Sequence, residues 1–185
     1  LTIPNETFRA SNYWVDVTFA PAVGTSVNDD GPILGTEGND ILTFTTAVDA
    51  ITGLDGADTF RLTTLTHSLL TTSSNPSFDR ITDLEAGLDL IDAPINLTPA
   101  TAINPTLLAT PVSNLNATGA GSIGALLSAL NFPASAAVAF TFNDPTASSR
   151  TFLALNNNTA GFDASTEAIL EITGYSGNLT QLEIF

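Results

Sequence analysis

Gly35-Thr36-Glu37-Gly38-Asn39-Asp40-Ile41-Leu42 and, eighteen residues on, Gly53-Leu54-Asp55-Gly56-Ala57-Asp58-Thr59-Phe60 decide the fold. Each follows the nine-residue pattern G-G-x-G-x-D-x-U-x except at its second place, where Thr36 and Leu54 stand for glycine. The same frame runs over residues 26–70, with Ile33, Leu42, Ile51, Phe60 and Leu69 at the eighth place. Asp40, Asp49 and Asp58 hold the sixth place of the middle three frames, with Gly31 and His67 there in the outer two. Glycine permits tight turns without a Cβ clash and turns backbone carbonyls inward. The apolar residue two places after each aspartate belongs to a short strand with its side chain inward. Nine residues then make half a turn of a parallel β-roll, and eighteen a full turn.

Loops eighteen residues apart stack on one edge, so Asp40 and Asp58 face a common slot. Two carboxylates and the carbonyls of the Gly35–Gly38 and Gly53–Gly56 loops supply about six hard oxygens, a set that suits Ca²⁺ better than Mg²⁺. Candidate ligands there are Gly35, Glu37, Gly38, Asp40, Gly53, Asp55, Gly56 and Asp58. Phe44-Thr45-Thr46-Ala47-Val48-Asp49 keeps its aspartate but has no glycine. It belongs to the opposite edge, where Asp49 with Asp29 and Asp30 is a second candidate. The plainer alternative is a series of Asx turns between strands.

Composition supports a cation-binding reading. The 185 residues carry 19 acidic side chains, four arginines and no lysine, for a net charge of −15. Twelve of the acids lie between Asp29 and Asp92, and the next 51 residues, Ala93 to Asn143, are uncharged. Such a balance disfavours nucleic acid, which needs a basic patch, and anionic membrane surfaces. No cysteine is present, which excludes disulfides and thiolate metal sites. The single histidine, His67, excludes a His-rich zinc or iron centre. No apolar run is long enough to span a membrane. H-E-x-x-H, P-loop and dinucleotide fingerprints are missing, and nothing marks a nucleophile beside His67, so no enzyme is expected.

Elsewhere, Tyr13–Phe19 alternates as one strand, which must pair with something else. Residues 1–22 are therefore expected to be an orphan strand and linker: the end of an upstream β-sandwich or a donated strand. Residues 23–185 are expected to form the remaining unit. The chain opens on Leu1 with no charged, then apolar, segment, which suggests a processed chain or a fragment rather than a signal peptide. Two short strands are expected in 78–92 around a Glu85-Ala86-Gly87 turn, and a short helix over 121–131 capped by Ser122. A hairpin is expected from Ala136–Phe142 and Thr151–Leu155, with further strands over Ala168–Ile172 and Leu179–Phe185.

The nonapeptides resemble the calcium-binding repeats of RTX proteins. Phe78-Asp79-Arg80-Ile81-Thr82-Asp83-Leu84 and Gly87-Leu88-Asp89-Leu90-Ile91-Asp92 resemble the C-terminal region of serralysin-type RTX proteins, with Leu84 in place of the usual Phe. That resemblance implies that Asp79 and Asp83 cap the last calcium slot beside Asp58. The alternative is that Asp79, Asp83, Asp89 and Asp92 are solvated charges that discourage strand pairing at an edge. Thr151–Asn156, Thr159–Phe162 and Glu171–Thr180 look like the tail of cyanobacterial "bluetail" surface proteins. Such tails are read by type I export machinery, and Leu182-Glu183-Ile184-Phe185 would fit an uncleaved C-terminal signal.

The expected fold is mainly β: a short parallel β-roll, one short helix and a β-rich C-terminal cap. The expected function is a secreted or cell-surface, calcium-binding structural module, with Ca²⁺ as its one cofactor, that folds on Ca²⁺ outside the cell. Two alternatives stand beside it. One is a subunit of an extracellular matrix filament assembled through residues 1–22, by which neighbouring copies or upstream domains would be partners. The other is an accessory domain of a larger secreted hydrolase.

Overall fold

The computed structural model describes residues 32–68, 77–95, 105–109, 112–143 and 148–185. Their regular elements are mostly strands, with one α-helix. The expected strand at Tyr13–Phe19, the unit assigned to 1–22, and Asp29 and Asp30 lie outside the described residues. No described helix is long and apolar enough to cross a membrane.

Four short strands come first: β1 (Ile33–Leu34), β2 (Ile41–Thr43), β3 (Ala50–Thr52) and β4 (Thr59–Arg61). They alternate between two sheets. β1 pairs in parallel with β3, Ile33 against Ile51, and β2 with β4, Leu42 against Phe60. Both pairs have the eighteen-residue offset that also separates Asp40 from Asp58. A 3-10 turn, Leu65–Ser68, interrupts the series. Its frame has neither glycine nor aspartate, and Leu69 of the expected fifth rung lies outside the described residues. The series resumes with β5 (Arg80–Ile81) beside β3 and β7 (Leu90–Asp92) beside β4, both parallel.

The C-terminal half completes both sheets. β8 (Ala137–Phe142), β9 (Arg150–Leu155) and β10 (Ala168–Glu171) are antiparallel, and β10 joins the edge of β5. β12 (Glu183–Ile184) joins β7. The result is a six-stranded sheet ordered β1-β3-β5-β10-β9-β8 and a four-stranded one ordered β12-β7-β4-β2. Glu85-Ala86, expected as a turn, forms strand β6, paired in parallel with β11 (Ser176–Gly177). The turn falls at Gly87, whose φ of 102° suits glycine. Leu179–Phe185 is not one strand. Asn178 accepts the Thr180 N–H and caps a 3-10 turn, Leu179–Gln181, before β12 begins.

With two or three residues per strand, one side chain in each faces inward. Ile51, Ile81, Leu42, Phe60, Ile91 and Ile184 are those residues, and they share one buried core between the sheets. β9 is buried on both faces, which explains its nearly unbroken apolar run. Leu153 and Leu155 enter the first core, while Phe152 and Ala154 enter a second. Helix α1 (Ile123–Ala129) covers that second core with Ile123 and Leu127. Ser122 starts the helix by accepting the Ala125 N–H at 3.0 Å, as its N-cap type dictates. Phe78 and Phe140 flank Phe152 at 4.8 and 5.5 Å between ring centroids. Arg150 lies over the Phe152 ring and holds Glu171 of β10 by two parallel hydrogen bonds of 2.9 and 2.6 Å.

Phe60 is fully buried in the four-stranded sheet, whereas Leu34 of β1 is 62% exposed. Phe60→Ala is expected to lower unfolding free energy by about 3–5 kcal/mol, and Leu34→Ala to stay within about 0.5 kcal/mol. Urea denaturation of both variants checks the contrast.

Candidate metal centre

The loops 35–40 and 53–58 lie in backbone contact. A Cβ on Gly35 would sit 2.4 Å from the Gly53 carbonyl oxygen, and one on Gly56 would sit 2.7 Å from that of Gly38. Only glycine allows this approach. At the first place of the second loop the constraint comes from the aspartate itself, because a Cβ on Gly53 would sit 2.1 Å from Asp58 Oδ2. Glu37 and Asp55 are exposed at the loop tips.

The aspartates are linked rung to rung. Asp40 donates its backbone N–H to Asp58 Oδ1 at 3.0 Å, and Asp58 donates its own to Asp89 Oδ1 at 3.0 Å. On the opposite edge, Asp49 donates its N–H to Asp79 Oδ1 at 2.7 Å. Asp40, Asp58 and Asp89 precede the adjacent strands β2, β4 and β7, and Asp49 and Asp79 precede β3 and β5.

This arrangement corrects one expectation. Asp79 does not stand beside Asp58; it stands with Asp49. The reason is the sheet its strand joins: β5 extends the sheet of β1 and β3, so the residue before it falls on the Asp49 edge. The neighbour of Asp58 on the next rung is Asp89. Asp83 accepts the N–H groups of Gly53 and Leu54, at 2.9 and 2.8 Å. Asp89, weighed above as an edge charge, has a signal in the sequence. Asp89-Leu90-Ile91 and Asp79-Arg80-Ile81 repeat the aspartate-to-apolar spacing of Asp40-Ile41-Leu42 and Asp58-Thr59-Phe60.

The second carboxylate oxygens differ from loop to loop. Asp40 Oδ2 accepts the N–H and the hydroxyl of Thr36, at 2.6 and 2.9 Å. Asp49 Oδ2 accepts the same pair from Thr45, at 2.6 and 3.0 Å. Asp89 Oδ2 accepts the Glu85 N–H at 2.8 Å. Asp58 Oδ2 and Asp79 Oδ2 are buried, and among the described residues no hydrogen bond reaches either. Their residues are 1% and 2% exposed. Leaving a buried anionic oxygen unpaired is costly.

Burial pushes the Asp58 carboxyl up; the Asp40 N–H opposes this, and the charges of Asp89, Asp40 and Asp83 add to it. Burial likewise pushes Asp79 up to about 6, opposed by the Asp49 N–H and by the nearby Ser68 hydroxyl, whose own hydrogen bond goes to the Ile169 carbonyl, and reinforced by the Asp49 charge. Asp89 is raised by the same cause, burial.

A buried, unpaired carboxylate oxygen among like charges fits a cation, and an all-oxygen setting of carboxylates and backbone carbonyls fits Ca²⁺. Among the described residues no three His, Cys, Asp or Glu side chains converge on one point. Any cation here would therefore draw much of its coordination from backbone carbonyls.

Comparison with protein-family models and with curated proteins returns no match to this chain.

Asp79 gives the apo protein a pH signature. Its carboxyl titrates at about 6 when folded, against an ordinary value of 3.8, so the folded state holds the proton more tightly. Its contribution to stability is full below the ordinary value and is lost as pH rises through 6. In chelator, the urea midpoint is expected to rise on going from pH 7 to pH 5, and to rise less in Asp79→Asn. An equal rise in the variant would contradict this assignment.

Proposed function

We propose that the strands between Ile33 and Asp92 form a short parallel β-roll of the RTX type that binds Ca²⁺ and gains stability by binding it. The observation that carries this reading is the buried Oδ2 of Asp58, without a partner among the described residues, within a ladder of aspartates. The eighteen-residue register of β1–β3 and β2–β4 supports it. Asp40, Asp58 and the carbonyls of the Gly35–Gly38 and Gly53–Gly56 loops would hold the ion on one edge, and Asp49 and Asp79 on the other. When bound, Ca²⁺ supplies positive charge that offsets crowded carboxylates and fills the remaining acceptor positions. An ion that binds only the folded chain stabilises it by linkage, by about 2.7 kcal/mol per site at a hundredfold excess over Kd.

The module is read as a secreted or surface structural unit, not an enzyme, exported through a type I machinery. At low cytosolic calcium the carboxylates repel and folding is disfavoured; millimolar calcium outside the cell reverses this. Residues 182–185, the candidate export signal, fall within this scheme. Leu182 and Ile184 are fully buried, so a signal there is readable only before folding. Folding delayed until calcium is met would keep it readable during export.

A calcium titration followed by circular dichroism, with Asp40→Ala/Asp58→Ala alongside, tests the proposal. The expected result is a calcium-dependent gain of β signal that the double variant loses or needs far more calcium to reach. A chain equally folded in chelator, with no calcium uptake, would overturn it.

A further inference from the structure

Three loops occupy equivalent places in the repeat, but they close in two different ways. Thr36, Thr45 and Leu54 stand at the second place of successive frames, each four residues before an aspartate: Asp40, Asp49 and Asp58. In the threonine loops the hydroxyl bridges the turn. Thr36 Oγ1 donates to Asp40 Oδ2 at 2.9 Å and accepts the Gly38 N–H at 3.3 Å. Thr45 Oγ1 donates to Asp49 Oδ2 at 3.0 Å and accepts the Ala47 N–H at 3.1 Å. The backbone N–H of each threonine adds a second donor to the same oxygen.

The Leu54 loop is built otherwise. Leu54 has φ of 73°, the left-handed region that glycine would occupy, while neither Thr36 nor Thr45 does. In that conformation the Leu54 N–H goes to Asp83 rather than to Asp58. Leucine has no hydroxyl to replace it, and Asp58 Oδ2 is left buried with no partner among the described residues.

Resting on the calcium reading above, we infer that Thr36 and Thr45 are positioning residues that hold Asp40 and Asp49 in place without metal. Asp58 is then the carboxylate of the three whose closure requires a cation. The two threonines keep part of the repeat preassembled in calcium-free conditions, and the Leu54 loop sets the calcium demand. A hydrogen bond to a charged carboxylate is stronger than a neutral one, so two donors on one oxygen are enough to hold a loop closed.

The test uses the full chain with Thr36→Val/Thr45→Val, which removes both hydroxyls and keeps the side-chain shape. Thr36→Ser/Thr45→Ser, which keeps the hydroxyls, is the rescue. Thr36→Val alone, at the less buried loop, serves if the double variant does not fold. Two quantities are read: the urea midpoint in chelator, and the calcium concentration at half-transition in the dichroism titration. The valine variants are expected to lose stability in chelator and to need roughly tenfold more calcium, and the serine variant to restore both. Equal chelator stability of the valine variants and the wild type would overturn the inference, as would failure of serine to rescue. If the wild type ignores calcium while the valine variants still weaken in chelator, the threonine assignment stands and the calcium reading fails.

Discussion

An aspartate carboxylate that accepts the backbone N–H of the aspartate one rung earlier is the contact on which the parallel half of this protein depends. Strands of two or three residues carry too few ladder hydrogen bonds to fix their own register. The Asp40–Asp58–Asp89 and Asp49–Asp79 links supply what the strands lack. They also fix where negative charge accumulates: along two edges, each at the start of its strands. The same contact that sets register therefore crowds negative charge along each edge, which hydrogen-bond donors meet at Asp40, Asp49 and Asp89.

The chain meets that crowding differently at each rung. Threonine closes two loops from within, Glu85 closes the Asp89 turn through its backbone, and Asp58 and Asp79 each keep one oxygen that is unpaired among the described residues. Burial makes those two oxygens the costly ones, because solvent cannot screen them. The C-terminal half contributes in a conventional way. β10 and β12 extend the two sheets, and the phenylalanine cluster under α1 anchors β8 to β10. Stability there comes from apolar area, where charge is sparse.

Much of this was legible in the sequence, for definite physical reasons. The apolar residue every nine places marked Leu42, Ile51 and Phe60 as inward because the loop length forces the same face to recur. Ser122 marked the helix because its hydroxyl suits an N-cap, and the β8–β9 hairpin followed from two strand-like runs on either side of Asn143-Asp144-Pro145. The neighbours of Asp58 were harder. Placing Asp79 required knowing that the segment after β4 leads first to the sheet of β1 and β3, and no local pattern states that. The spacing Asp89-Leu90-Ile91 does carry the information, once aspartate is read as the residue that starts a rung rather than as an edge charge. The role of Thr36 and Thr45 was hidden because they first appear only as departures from glycine.

The central claim is that the unpaired oxygen of Asp58 marks a calcium site. Anomalous diffraction from crystals of this chain grown in millimolar CaCl₂ tests it most directly. The account predicts an anomalous peak about 2.3–2.6 Å from Asp58 Oδ2, with loop carbonyls completing the coordination. A well-ordered Asp58 loop with no anomalous peak, its carboxylate satisfied by water or a protein donor, would contradict it.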